Sequence, residues 1–256
     1  MRLTLATDAR PEALAEVRDW TVSVCAPAAA HPENEGDVAA IVLAVHEAAA
    51  NVVEHAYRGA GGPLRLEASW SGPTLTVRVW HRGEPIDREA VAAPVFDGSR
   101  ERGLGTFLIE QAADRVAYET AGDEHCVSIE KSFVTEPLKK EVAMSTNPTT
   151  QSSAHVFEPE IEVLDQTTVK EFRRELAEHV APGRQLVLDL GKVQFVDSSG
   201  LGAILSASRQ LLETGGDLKI CSLTPPVRVL FELVRMHRVF DVLNDREEAL
   251  GAFAQA

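Results

Sequence analysis

The sequence is poor in the residues that build disulfide frameworks and zinc sites. Its 256 residues include three cysteines, Cys25, Cys126 and Cys221, which lie far apart and form no C-x-x-C pair. A disulfide framework or a zinc site needs several suitably spaced ligands, so neither is expected. This use of cysteine is typical of a reducing compartment, which we take to be the cytoplasm.

Positive charge is also scarce. The chain has 25 Lys and Arg against 39 Asp and Glu, a formal net charge of -14 at pH 7. Charge of this sign repels the backbone of nucleic acids and anionic membrane surfaces at long range. The sequence also lacks an apolar leader and any stretch approaching the ~18 apolar residues of a membrane span. We therefore expect protein or small-molecule partners, with no direct binding to nucleic acid or membrane.

The residues that are present divide into two parts with different patterns, as expected at ~150 residues per domain. In the first part a strand and a helix precede a long amphipathic helix, two alternating strands, another helix and two more strands. This order predicts an α+β sandwich over 1–134. The elements are predicted at 2–7, 11–24, 37–57, 64–70, 74–80, 104–116 and 117–133.

The segment 135–153 lacks the apolar residues of a packed element. It reads TEPLKKEVAMSTNPTTQSS, rich in Thr, Ser, Pro and charge. Such a composition cannot bury enough apolar surface to order itself, so it predicts a linker. Met144, followed by Ser-Thr-Asn-Pro, resembles the polar start of a separate chain, which gives the hypothesis of two reading frames joined end to end; an internal Met in a linker is otherwise unremarkable.

After the linker, helical and strand patterns alternate over 154–256. Helices are predicted at 169–180, 199–214 and 225–236, and short strands at 185–190, 217–221 and 239–242, before a terminal helix. Alternation of this kind predicts a mainly parallel sheet with helices packed on it. The fold class is therefore α/β with two domains.

One face of the long helix carries polar residues. Glu47, Asn51 and His55 stand four residues apart on an otherwise apolar helix, a spacing that is equally typical of a solvated face. The surrounding LAVHEAAANVVEHAY resembles the N box of the GHKL (Bergerat) ATPase superfamily, in the variant of anti-sigma-factor serine kinases. This resemblance implies that Asn51 supports the Mg²⁺ bound to ATP and that Glu47 accepts the proton of the attacking serine.

A glycine-bearing loop, HRGEPID at 81–87, follows the hairpin. It resembles the G1 box of the same family, to which Gly83 belongs, but His81 stands where the family usually has Asp. That aspartate accepts a hydrogen bond from the adenine amino group. His81 can replace it only through an unprotonated ring nitrogen, a weaker acceptor than a carboxylate. The resemblance therefore implies a nucleotide site with weakened affinity or altered base choice.

A second glycine segment opens the next helix. RGLGTFLI at 102–109 resembles the G2 box, in which glycines permit close approach to phosphates and the helix N-terminus favours negative charge. Between the two boxes, 88–102 would form the ATP lid, from which Arg100 or Arg102 reaches the γ-phosphate. The nucleotide-binding residues implied by this box are Arg102, Gly103, Leu104, Gly105 and Thr106.

The second part carries a candidate phosphoacceptor. Asp197-Ser198-Ser199-Gly200 lies at a strand-to-helix junction, where Asp and Ser are also preferred N-caps. With KICSLTPPVRVLFELVRMHRVFDV at 219–242, this segment resembles the STAS domain of anti-sigma-factor antagonists. The resemblance implies that Ser198 is phosphorylated, with Ser199 as the alternative. It departs from the family at its start, where only HVF at 155–157 is strand-like, so the first strand is expected to be short or absent.

Together the two resemblances imply a partner-switching regulator of a sigma factor. An ATP- and Mg²⁺-dependent serine kinase domain would phosphorylate the STAS domain in cis or in trans, and a phosphatase of the PP2C type would reverse the step. Phosphate adds about -2 charge and would weaken docking. Another antagonist is an alternative partner, and docking between two chains would give a homodimer.

The sequence leaves one other function open and disfavours another. In the first, His81 has cost the chain its hold on nucleotide, and the protein is a non-catalytic binding scaffold. A histidine kinase is disfavoured, because no dimerising helical pair with a phosphoacceptor histidine precedes the ATP-binding part.

Overall fold

A computed structural model describes residues 2–86, 104–134 and 154–254. These residues form two compact units, the first made of 2–86 with 104–134 and the second of 154–254. The predicted linker 135–153 and the whole of the predicted ATP lid, 88–102, with Arg100 and Arg102, lie outside the described residues. The domain bounds therefore remain a prediction.

The first unit is a five-stranded antiparallel sheet with helices on one face, which confirms the predicted α+β sandwich. Alternating apolar residues in its central strands bury one face beneath the helices, as Leu75, Val77 and Val79 do. The strand order is β1-β2-β3-β5-β4. The strands are β1 (Arg2–Asp8), β2 (Pro63–Ser71), β3 (Thr74–His81), β4 (Arg115–Ala121) and β5 (Glu124–Ser132), and the helices are α1 (Ala13–Val24), α2 (Ala26–Ala29), α3 (Glu35–Asn51) and α4 (Leu104–Ala112).

The longest helical segment corrects the expectation that no stretch of the sequence approaches the length and hydropathy of a membrane span. Pro32–Ala56 is long and apolar enough to cross a membrane by length and composition. In this unit, however, 72% of its most apolar window is buried. The helix lies against α1, α4, β3 and β5, and Ile41 and Val45 are inaccessible to solvent. Its hydropathy is that of a core helix covered on several sides.

Helix α4 ends earlier than the predicted 116. The backbone N–H of Asp114 donates to the carbonyl oxygen of Glu130 at 2.9 Å, and its carboxylate accepts from the N–H of Ser132 at 2.8 Å. The chain is therefore already paired with β5 at this point, and Val116 belongs to β4. Long-range pairing ends the helix here, and the local pattern does not show it.

The second unit alternates strands and helices as predicted. Its four-stranded sheet has the order β11-β10-β8-β6, and every neighbouring pair is parallel. The first strand has three residues, in agreement with the short strand expected. The strands are β6 (His155–Phe157), β7 (Val163–Leu164), β8 (Gln185–Asp189), β9 (Phe195–Val196), β10 (Asp217–Cys221) and β11 (Asp241–Leu243), and the helices are α5 (Val169–His179), α6 (Ser198–Glu213), α7 (Pro225–Leu233) and α8 (Arg246–Ala254).

Two details of this unit differ from the sequence prediction. Strands β7 and β9 form a separate two-stranded parallel sheet that the pattern does not indicate. Helix α7 ends at Leu233 and not at 236, because Arg235 adopts a left-handed backbone with φ of 54° that an α-helix cannot continue through. A 3₁₀ turn, Met236–Arg238, then leads to β11.

The three cysteines are all free and buried. Burial raises the pKa of Cys25 and Cys126 to about 12 and that of Cys221 to about 11. The thiols are therefore protonated and shielded at neutral pH. Two lie in the first unit and one in the second.

Candidate nucleotide site and phosphoacceptor

The polar residues of α3 differ in exposure. Glu47 is buried, with 1% of its surface exposed, Asn51 is half-buried, and His55, just beyond α3, is exposed. A face that was merely solvated would expose all three residues. Exposure therefore rises from Glu47 through Asn51 to His55, which favours a built site over a surface stripe.

The described part of the G2 segment opens a helix that packs against α3. This helix, α4, begins at Leu104. Leu104 and Gly105 are buried, and Thr106 is half-buried in the same first turn. The structure therefore places this part of the predicted phosphate loop in the first turn of a helix that packs against the one carrying Asn51. Arg102 and Gly103 lie outside the described residues.

A π-helical turn, Val52–Ala56, begins directly after Asn51. The N–H of Tyr57 donates to the carbonyl oxygen of Val52 at 3.0 Å, five residues back. Turns of this kind are rare and are frequent at functional sites. The sequence carries no sign of it, since VVEHA reads as an ordinary continuation of the helix.

The G1 loop is attached to this turn. The N–H of Glu84 donates to the carbonyl oxygen of Ala56 at 2.9 Å. A Cβ on Gly83 would lie 2.4 Å from that same oxygen, so only glycine permits the approach. The Tyr57 hydroxyl accepts a hydrogen bond from the N–H of Arg82 at 2.8 Å. Among the described residues, Gly83 therefore serves to seat the loop against the helix.

His81 ends β3 at this loop and is 3% exposed. Its Nδ1 is buried and has no hydrogen-bond partner among the described residues. Burial, followed by the neighbouring His125, lowers the pKa of His81 to about 4. The ring is therefore neutral at pH 7 and keeps one unprotonated nitrogen, as acceptance of a hydrogen bond from a base amino group requires.

A recess of about 80 Å³ lies beside His81. It is about half the volume of a cavity, ~150 Å³, that can hold benzene. The described part of the recess therefore suits the edge of a flat ring. His81 lines this recess and keeps an unprotonated nitrogen, which a ligand with a complementary edge requires, so the residues present fit a nucleotide base. Its walls include Pro85 and Ile86 of the loop, and Tyr118, Thr120 and His125 of β4 and β5.

His125 was not predicted as a site residue. It stands opposite His81 in the antiparallel register of β3 and β5, and the two ring centroids are 5.4 Å apart. Residues opposite each other in such a ladder point to the same face. The only available signal would have been this register, which the sequence does not show because α4 and β4 separate the two strands in the chain.

In the second unit, Asp197 caps helix α6. One carboxylate oxygen accepts from the N–H groups of Ser199 and Gly200, both at 2.9 Å. The other accepts from the N–H of Gln166 at 3.1 Å. A carboxylate here accepts hydrogen bonds from helix N–H groups that have no partner within the helix. Its negative charge also interacts favourably with the positive end of the helix dipole. The N-cap expected from the sequence is therefore present.

The two serines of this segment occupy the first two positions of α6. The Ser199 hydroxyl donates to the Asp197 carboxylate at 2.6 Å, while Ser198 is half-buried at the first position of the helix. A Cβ on Gly200 would lie 2.6 Å from the Cγ of Leu164 and 2.7 Å from its carbonyl oxygen. The helix N-terminus therefore packs closely against β7, and Ser199 takes part in the cap.

Comparison with known proteins assigns a family to each unit. Residues 7–131 match the histidine kinase-like ATPase domain, and residues 147–249 match the STAS domain. The candidate anti-sigma factor antagonist BtrV of Bordetella bronchiseptica is 38% identical over 95 residues, which are 37% of this chain and 82% of that protein. The chain belongs to the anti-sigma factor antagonist family. It also carries a histidine kinase-like ATPase domain, so it contains both modules of partner-switching anti-sigma regulation.

Two further similarities are to proteins whose names include RsbW. The serine-protein kinase RsbW of Halalkalibacterium halodurans is 35% identical over 88 residues, 31% of this chain. The match spans about half of that kinase, 54% of its length. Among solved structures, the RsbU and RsbW domains of Rv1364c from Mycobacterium tuberculosis are 20% identical, with a TM-score of 0.37, over 54% of this chain and 35% of that one.

Proposed function

We propose that this chain is a cytoplasmic, ATP-dependent serine kinase joined to its own substrate domain, and that it controls a sigma factor by partner switching. The observation that carries the proposal is the buried, neutral His81, which lines a recess together with Pro85 and Ile86 of the G1 loop. This loop is hydrogen-bonded to Ala56, beyond the helix that holds Glu47 and Asn51. The similarity of the first unit to a protein named as a serine kinase supports it.

In this proposal each residue has one task at the nucleotide. His81 accepts a hydrogen bond from the base, and Asn51 holds a Mg²⁺ ion through its amide oxygen. The ion, when bound, neutralises phosphate charge during transfer. The start of α4, with Gly105 and Thr106, presents a helix N-terminus to the phosphates.

Glu47 would act as the base of the transfer. Its carboxylate takes the proton of the serine hydroxyl while that oxygen forms the new bond to the γ-phosphorus and the bond to the bridging oxygen of ADP breaks. Burial of Glu47 keeps bulk water from competing for this proton.

Ser198 is the proposed acceptor and Ser199 the less suitable one. Phosphate on Ser199 would replace a hydroxyl that now donates to the Asp197 carboxylate at 2.6 Å. It would lose this bond and bring a dianion against a carboxylate, which like-charge repulsion disfavours. Phosphate on Ser198 would leave the hydrogen bonds of the cap intact, and its negative charge would still be stabilised by the helix N-terminus.

Because the two units are joined, each would compete with free partners for binding to the other. A flexible linker of about twenty residues has a root-mean-square span of roughly 25 Å, which gives an effective concentration of order millimolar if contact is allowed. The STAS unit would then displace a sigma factor in cis, and phosphorylation would release the STAS unit again. A PP2C-type phosphatase would reset the cycle.

The test is intact-mass spectrometry of the full chain incubated with Mg-ATP. The wild type should gain one phosphoryl group. Glu47→Ala and Ser198→Ala should gain none, while the matched Ser199→Ala should still be modified. Phosphorylation of Ser198→Ala to the wild-type extent would show that Ser198 is not the acceptor.

A second candidate is a non-catalytic scaffold, which the imidazole at position 81 in place of a carboxylate favours. A His81→Asp variant separates the two functions. If nucleotide binds to His81→Asp and not to the wild type, the scaffold is supported. Binding to both supports the kinase.

A further inference from the structure

Two histidines that face each other form part of the wall of the recess. His81 of β3 and His125 of β5 are direct partners in the antiparallel ladder, with ring centroids 5.4 Å apart and ring planes at 38°. His81 continues the buried row of Leu75, Val77 and Val79. The rings therefore lie on the helix-covered face of the sheet, and both line the recess.

His125 is oriented by the neighbouring strand. Its Nδ1 lies 3.0 Å from the hydroxyl oxygen of Thr120, its direct partner across β4 and β5. A threonine hydroxyl can donate to this nitrogen or accept from it. The other ring nitrogen is correspondingly a donor or an acceptor, with no change in the position of the ring.

The tautomer of His81 is not fixed by a described neighbour either. Its Nδ1 has no hydrogen-bond partner among the described residues, and the Tyr57 ring meets it edge-on with centroids 6.3 Å apart. A neutral imidazole without a fixed partner can place its proton on either nitrogen. A carboxylate at this position could only accept.

We propose that His81 and His125 together read the base of the bound nucleotide, and that this pair accepts both adenine and guanine nucleotides. The proposal rests on the nucleotide site put forward above. One tautomer pair presents an acceptor to a 6-amino group and a donor to the adjacent ring nitrogen, which is the edge of adenine. The reverse pair presents a donor to a 6-oxo group and an acceptor to the adjacent N–H, which is the edge of guanine.

A carboxylate at position 81 would remove this tolerance. Facing a 6-oxo group it would leave two acceptors opposed and unpaired, and a site that must leave buried polar groups unpaired rejects the wrong ligand strongly. His81→Asp is therefore expected to bind adenine nucleotide better than guanine nucleotide by about tenfold or more. The wild type is expected to bind the two within about tenfold of each other.

The experiment is titration of the full-length protein with fluorescent N-methylanthraniloyl derivatives of ATP and GTP in Mg²⁺ buffer. Wild type, His81→Asp and His125→Phe are compared with His237→Asp, which makes the same change at an exposed position in the other unit. Circular dichroism checks that each variant is folded. His125→Phe should weaken both nucleotides, His81→Asp should weaken the GTP derivative only, and the control should match wild type.

Three results would overturn the proposal. If the wild type binds the ATP derivative and not the GTP derivative, the kinase site stands and the tolerant pair is wrong. If both bind and His125→Phe changes neither affinity, His125 is not a base-reading residue. If neither binds to any of the proteins, the proposed nucleotide site fails together with this inference.

Discussion

The two candidate sites differ in how completely their polar groups are satisfied. At the nucleotide recess, the buried Nδ1 of His81 has no hydrogen-bond partner among the described residues. At the start of α6, the Asp197 carboxylate accepts from three backbone N–H groups and from the Ser199 hydroxyl. An unpaired buried group costs free energy, whereas a satisfied cap stabilises its helix. In the proposed function, this difference suits the first site to ligand binding and the second to presentation of a serine at a capped helix end.

The largest expected effect tests the rigidity of the second site. Gly200→Ala would place a Cβ 2.6 Å from Leu164, which must then move. We expect the second unit to lose about 3 kcal/mol of unfolding free energy, since overpacking against backbone is costly. Urea denaturation measures the loss. Gly251→Ala on α8 is the matched control, because nothing lies within 4 Å of its Cβ, and it should be neutral or stabilising.

The next effect concerns the cap itself. Asp197→Ala removes the acceptor of the three N–H groups and should cost about 2 kcal/mol in urea denaturation. Asp197→Asn keeps an oxygen acceptor and should lose less than half of this. Equal losses for both variants would mean that the negative charge, and not the hydrogen bonds, carries the stabilisation.

The third prediction uses pH to test the buried imidazole of the first site. The pKa of His81 is lowered from 6.5 to about 4 by burial and by His125. The unfolded ring takes up a proton below about pH 6.5 and the folded ring does not, so stability is full above that pH and falls as pH drops toward 4. Between pH 7 and pH 5 the first unit should lose about 2 kcal/mol from this group.

A variant without the titrating ring checks this assignment. His81→Phe should show a weaker pH dependence than wild type over the same interval, by urea denaturation at pH 7 and pH 5. An identical dependence in the two proteins would place the responsible group elsewhere.

The smallest effect separates the two serines of the second site. Ser199→Ala removes one hydrogen bond to Asp197 and should cost about 1 kcal/mol. Because Ser198 is the proposed acceptor, phosphorylation by Mg-ATP should persist in this variant. Loss of phosphorylation with unchanged stability would reverse the assignment of the two serines.

The sequence predicts the cap at Asp197, because one preferred capping residue before a helix is a local signal. The spacing of Glu47, Asn51 and His55 left a solvated face equally open, and the structure shows that Glu47 is buried. The features that the sequence misses depend on distant pairing. His125 meets His81 only through the register of β3 and β5, and α4 stops where Asp114 pairs with β5.

The helical segment long enough to span a membrane is another case in which local sequence does not reveal the surroundings of a residue. A window of sequence over Pro32–Ala56 cannot distinguish lipid from a protein interior, because both reward the same apolar residues. The π-helical turn after Asn51 also has no local signal, and its last residue, Ala56, accepts a hydrogen bond from the distant G1 loop.

The buried cysteines allow the opening of each unit to be followed separately by thiol labelling. A thiol with a pKa of about 12 has about one molecule in ten thousand as thiolate at pH 8, so a thiol reagent reacts with Cys25 or Cys126 only after the first unit opens. Cys221 reports in the same way on the second. Peptide mapping after brief labelling would thus time the opening of the kinase-like and antagonist units separately within one intact, untagged molecule, with or without nucleotide.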